Sequence, residues 1–189
     1  LHPNFMSPLV WDVIVLNLYA LASAIYLYIL MLPELTGKLS WLAIKVNNPH
    51  DFSERWAKRI APVALLFAIG IHVVTAWIFS TQGARDWWHS PAMAPDFVSV
   101  AIAVGTTVVL LAGALSYGTD QKYEEAYRIL GLIIFMATCI HLFLMMNDLV
   151  IHAWYGNAET HRILEIAWGD FAWAHIFEVA APFIGAGLL

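Results

Sequence analysis

The sequence predicts an all-α fold, a polytopic bundle of transmembrane helices. Apolar residues make up 61% of the 189 residues and charged residues only 12%, about half the charged share of a soluble domain. Mean hydropathy is +0.70. Five apolar stretches reach or approach the roughly 20 residues that a bilayer-crossing helix needs.

Those stretches run over 9–32, 60–80, 96–117, 129–151 and 171–189. The first is opened by Ser7-Pro8 and stopped by Pro33, a capping residue with proline at the first turn and proline again at the exit. The second follows Arg55-Trp56-Ala57-Lys58-Arg59 and carries Pro62 in its expected first turn, where a missing N–H is harmless. Pro95-Asp96 precedes the third. The fifth contains Pro182 and reaches the last residue, Leu189. The longest connection, 33–56, is expected to lay Trp41 to Lys45 along the interface as a short amphipathic helix.

We read residues 1–189 as one bundle segment of a longer polypeptide, since the chain opens on Leu1 and stops inside an apolar stretch. No basic n-region with a cleavage site is visible. There is no repeat of fixed period and no low-complexity tract.

Charge excludes some functions. A net charge of −5 argues against a nucleic-acid partner, which requires a basic face. The single cysteine, Cys139, can form neither an intrachain disulfide nor a thiolate cluster site. It reads as a small packing residue, and no metal site is expected.

Lys and Arg are unevenly placed. The connections after spans one and three hold Lys38, Lys45, Arg55, Lys58, Arg59, Lys122 and Arg128, and those after spans two and four hold only Arg85 and Arg162. The positive-inside rule therefore puts loops 33–58 and 118–128 in the cytoplasm. The start of span one, the Trp87-Trp88-His89 turn and the 152–169 connection then face outward.

Ionisable groups inside apolar helices are costly, so each needs a partner, a water pocket or a ligand. His72 lies within span two with Thr75 one turn on and Trp77 beyond it. Trp87-Trp88-His89-Ser90-Pro91 forms an aromatic, proline-stiffened turn after that span. His141, Met145, Asp148 and His152 stand at i, i+4, i+7 and i+11 on one face of span four, a stripe of about 16 Å. We place it from mid-membrane to the outward surface. Asp12, Tyr19, Ser23 and Tyr26 share a face of span one, and span five carries His175 and Glu178.

Each of these has a plainer reading. Asp12 could only favour the positive N-terminus of its helix, and His72 could only bond a backbone carbonyl. The span-four stripe could serve proton transfer or merely hold helices together. Tryptophans are expected at any membrane interface. A histidine near neutrality can donate to a quinone carbonyl or accept from a quinol hydroxyl. His72 and His141, at similar expected depth, could instead ligate haem.

Ser7-Pro8-Leu9-Val10-Trp11-Asp12 with Tyr19 and Tyr26-Leu27-Tyr28 resembles the opening of a helix in the NrfD/PsrC-type membrane subunits of the polysulfide reductase class. His72-Val73-Val74-Thr75-Ala76-Trp77-Ile78-Phe79, Arg85-Asp86-Trp87-Trp88-His89-Ser90 and Ala94-Pro95-Asp96-Phe97-Val98 look like the next helix pair. The pattern is most similar to the DsrP/HmcC-like branch of sulfate-respiring organisms, and the chain looks like about half of a member.

The resemblance implies a bundle without haem or iron–sulfur cluster of its own, in the cytoplasmic membrane of a prokaryote. It implies menaquinone or a related quinone bound near the outward face, a ferredoxin-like iron–sulfur subunit docked there, and further subunits of a respiratory complex. Carried over by position, Asp12, His72 and His89 are the site candidates, with Tyr19, Trp77, Trp88 and His141 beside the head group. Asp148 is a further catalytic candidate, and His141, Asp148, His152, His175 and Glu178 are the proton path. Ile78 stands where the alternative complex III branch carries an acid, which argues against proton translocation by that route. The competing expectations are a haem b cytochrome subunit and a cofactor-free membrane anchor.

Overall fold

A computed structural model describes residues 4–35, 37–83, 88–118, 120–174, 176–177 and 179–180, with the side chains of 37–39 and 167 left aside. The described residues are helical, without strands. Helix α1 is Pro8–Met31, α2 Pro49–Ser80, α3 Met93–Tyr117, α4 Glu124–Tyr155 and α5 Ala158–Trp168. Short 3-10 turns occupy Leu32–Glu34, Gly37–Leu42 and Gln121–Tyr123. The chain divides into two compact units, Leu1–Ile78 and Phe79–Leu189.

Four helices, α1 to α4, are long and apolar enough to span a membrane. Only 6–11% of the most apolar window of each is buried, so their faces are open to lipid or to further helices. The 24 residues of α1 and 25 of α3 correspond to about 36–38 Å, slightly more than a hydrocarbon core of about 30 Å. The 32 residues of α2 and of α4 correspond to about 48 Å, so both project well beyond it.

The projections account for the differences from the expected boundaries. Helix α2 begins at Pro49, eleven residues before its apolar run, so residues 49–58 are helix rather than loop. Pro62 consequently lies inside the helix and not in its first turn. The hydrogen bond it forfeits belongs to the carbonyl of Lys58, at the charged end of α2 where water can replace it. The expected interfacial helix at Trp41–Lys45 is replaced by the 3-10 turn Gly37–Leu42, which leaves Trp41 78% exposed. Most of the expected fifth span lies outside the described residues. The 152–169 connection contains instead the last turn of α4 and all of α5.

In the first unit, α1 and α2 run antiparallel. Asp12 on α1 meets Thr75 on α2, and a Cβ on Gly70 would come within 3.3 Å of Val15. At the other end, Leu30 and Ala57 line one groove. Ser7 and Pro8 start α1, and the Trp11 indole ties that start down by donating to the Phe5 carbonyl at 2.9 Å. Pro33 stops it because proline has no N–H to continue the ladder.

The second unit is built on the α3–α4 hairpin. Asp96 meets His141 at one end, and the Tyr127 ring lies over Gly113 at the other, where an added Cβ would sit 3.2 Å away. Gly118, at φ 67°, ends α3 in the left-handed region that glycine adopts without strain. Its carbonyl accepts from the Tyr127 hydroxyl at 3.0 Å. This register places Met93 level with about residue 144, so α4 continues roughly 16 Å past the start of α3.

Candidate functional site

In the first unit, a side-chain hydrogen bond joins the start of α1 to the last turns of α2. Thr75 Oγ1 donates to Asp12 Oδ1 at 3.0 Å, half-buried between the helices. Asp12 is therefore more than a charge at a helix N-terminus: it is bonded across to α2. One turn before Thr75, His72 Nδ1 lies 2.7 Å from the Ala68 carbonyl. A carbonyl can only accept, so Nδ1 carries the proton and the neutral ring keeps Nε2 as its acceptor. Among the described residues Nε2 has no hydrogen-bond partner. The ring is braced at one nitrogen and available at the other.

Tyr19 lies seven residues along α1 from Asp12, about 10 Å further down the helix. It is half-buried and makes no hydrogen bond among the described residues. Trp77, by contrast, is 51% exposed, on the outer side of its helix.

In the second unit, the aromatic turn packs on its own helices. Trp88 meets Phe79 edge-on with ring centroids 5.3 Å apart, and Phe79 also touches Phe97 at 5.8 Å. His89 Nδ1 donates to the Ser80 carbonyl at 2.7 Å. This caps the last turn of α2, where carbonyls lack intrahelical partners. Ser90 is buried, and its hydroxyl accepts from the Ala92 N–H at 3.2 Å, turning the chain into α3. Trp87, His175 and Glu178 lie outside the described residues.

A short ionisable contact in this unit involves a residue that sequence reasoning missed. His141 Nδ1 lies 2.6 Å from Asp96 Oδ1, with side chains 16% and 27% exposed. The carboxylate fixes the ring's orientation, so that any further proton exchange runs through Nε2. In the sequence Asp96, with Pro95, marked only the entry to the third span. The signal that could have found it is pairing by depth, because antiparallel neighbours bring the start of span three beside the outer part of span four.

The Asp96 contact sets the register of the stripe against α3. His141 is level with the first turn of α3 and not with its middle, and Asp148 and His152 lie on the part of α4 that outruns α3. His152 is buried, with Nδ1 donating to the Asp148 carbonyl at 2.8 Å and 3.5 Å from its carboxylate. The three residues do share one face, since His141, Asp148 and His152 are shielded while Phe143, Asn147 and Val150 are exposed.

Four apolar spans with protonatable groups inserted near one end of each helix pair define a multi-pass integral membrane protein. Residues 1–189 match the family described as "Polysulphide reductase, NrfD", and the chain belongs to that family. It is 31% identical over 164 residues to a putative dimethyl sulfoxide reductase membrane subunit of Halobacterium salinarum, covering 80% of this chain and 36% of that protein. It is 23% identical over 128 residues to a selenate reductase subunit of Mesobacillus selenatarsenatis, covering 67% of this chain and 30% of that protein. The matched stretches thus cover about a third of the length of these relatives.

Proposed function

We propose that this chain is the quinol-reactive part of a membrane subunit in a quinone-linked oxidoreductase complex of a prokaryotic cytoplasmic membrane. Electrons pass between menaquinone, or a related quinone, and a ferredoxin-like iron–sulfur subunit on the outward face. The relatives' names, dimethyl sulfoxide reductase and selenate reductase, support membership of such a complex.

The observation that carries the reading is the 2.7 Å contact between His72 Nδ1 and the Ala68 carbonyl. With its Nδ1 proton given to Ala68, the ring presents Nε2 as an acceptor, which suits the hydroxyl of a reduced quinone. When bound, the quinol supplies a two-electron couple and two exchangeable protons. His72 Nε2 takes a hydroxyl proton and orients that oxygen. Asp12, held by Thr75 on the same helix pair, is the carboxylate placed to receive the proton next. In the second unit, His141 with Asp96, then Asp148 and His152, exchanges protons with the outward surface. Trp88 and His89 stand on the turn that the iron–sulfur partner covers.

The test uses the full-length subunit in its assembled complex. His72→Leu should lower quinol-dependent turnover by about 10²–10⁴-fold, the range of general acid–base contributions. Reduction of the complex by an artificial donor should be unaffected. Unchanged quinol kinetics would sink the assignment, and loss of assembly would make His72 a brace for α2.

A further inference from the structure

Quinol chemistry leaves unused the face of α1 that points away from α2. Asp12 and Val15 mark the face toward α2, through Thr75 and Gly70. At 3.6 residues per turn, Asn17 points about 140–160° away from both. Its side chain is exposed and donates to the Val13 carbonyl at 2.7 Å. That carbonyl is already the acceptor for the backbone N–H of Asn17 in a regular helix, so α1 does not need the amide. Among the described residues, the second amide N–H and the amide oxygen have no partner.

Depth makes this arrangement costly. Asn17 lies nine residues after Pro8, the first residue of α1, about 14 Å along an axis of about 36 Å. With about 30 Å of hydrocarbon centred on that axis, the amide sits about 10 Å below the boundary. So short a side chain cannot snorkel that far to the headgroups. Lipid tails offer neither donor nor acceptor, whereas a second helix with an amide or hydroxyl side chain offers both.

The neighbours of Asn17 suit a helix. Val10, Val13 and Ile14 stand at i−7, i−4 and i−3 on the same face, and with Phe5 and Leu9 they line an apolar groove. Ala20 and Ala24, at i+3 and i+7, are exposed, and small residues let a second backbone approach closely.

We propose that a further transmembrane helix of the same polypeptide, from outside residues 1–189, packs on this face and hydrogen-bonds Asn17 through an amide or hydroxyl at matching depth. The matched stretches are 36% and 30% of the two relatives, so most of each relative's length lies beyond them. A helix on the same chain meets this face at far higher effective concentration than one on another copy. This surface is independent of the quinol reading.

The experiment uses the full-length subunit. Asn17→Ala removes the amide without adding bulk, and alanine favours a helix intrinsically. On a face bare to lipid, the variant would therefore gain stability. With a helix bonded there, it should instead lower the folded-to-unfolded ratio by about 3–17-fold, the range that interhelical hydrogen bonds in membranes span. An SDS titration of the subunit in micelles reads the ratio. In the assembled complex, a benzoylphenylalanine photo-crosslinker replacing Val13 should give a product of monomer mass, joined to a stretch of the same polypeptide outside residues 1–189. If that variant fails to insert, the alanine titration still decides. Unchanged or raised stability of Asn17→Ala would overturn the proposal. So would cross-links to α3, to α4, to a second copy or to lipid alone. Labelling of Asn17→Cys by an impermeant maleimide, with Cys139 replaced by serine, would put water there instead of a helix and overturn it too.

Discussion

Asp96 and His141 show what a single buried polar contact does in a membrane helix. His141 Nδ1 needs an acceptor, and Asp96 supplies one at 2.6 Å. Asp96→Asn keeps an acceptor oxygen and removes the charge, whereas Asp96→Leu removes both. Interhelical hydrogen bonds in membranes average about 0.6 kcal/mol and reach about 1.7, so Asp96→Leu should cost about 1 kcal/mol of stability and leave the bundle folded. Its turnover should fall further than that of Asp96→Asn, and parallel melting and kinetic measurements check both. Equal turnover in the two variants would mean that the carboxylate's charge, and not its hold on the ring, is what matters. Sequence marked His141 because an imidazole in an apolar run is conspicuous. Asp96 escaped because an acid in a first turn is ordinary, and only its partner on another helix makes it otherwise. The same limit applied to Asp12, whose plain reading was dipole stabilisation until Thr75 appeared 3.0 Å away.

At the scale of elements, hydropathy located four spans well but misjudged their ends. Polar turns that continue a helix beyond the membrane carry no apolar signal, so Pro49–Lys58 read as loop although it is the first part of α2. Helix α5 was hidden for the same reason: its polar residues made the whole connection look irregular. Its start is sharply specified once seen. Asn157 caps it by accepting from the Thr160 N–H at 3.0 Å, and Thr160 is 1% exposed. Gly156 makes the junction with α4, and a Cβ there would fall 2.8 Å from the Thr160 side chain and against the His152 carbonyl. Gly156→Ala should therefore cost about 1–3 kcal/mol, the range for overpacking, and hydrogen exchange should quicken over 157–168. Gly105, in α3, has open space where its Cβ would be. Gly105→Ala should be neutral or stabilise by about 0.5–1 kcal/mol through helix propensity, and a thermal melt distinguishes the two glycines.

For the whole molecule, the number of spans dictates which loops share a side. Residue 45 lies between α1 and α2, residue 121 between α3 and α4, and residue 159 beyond α4. Two crossings separate the first two positions and three separate the first from the third. Residues 45 and 121 must then share one side, with 159 on the other, whatever the charges say. The Lys and Arg distribution, seven against two, chooses the side, because cytoplasmic connections hold the excess of cations. Lys45, Gln121 and Glu159 are all exposed, which makes each a usable cysteine position once Cys139 is replaced by serine. In intact cells, an impermeant maleimide should label Glu159→Cys and spare Lys45→Cys and Gln121→Cys, which should react only after the membrane is opened. Labelling of 45 and 121 from outside, with 159 spared, would keep four spans but invert the chain, putting the Asp12–His72 end on the cytoplasmic side and removing the outward iron–sulfur partner. A pattern that separates 45 from 121 would instead mean that α2 or α3 does not cross, which their 32 and 25 residues of helix are long enough to do. The three labels thus test span count and orientation independently, and the proposed direction of proton release stands only if both hold.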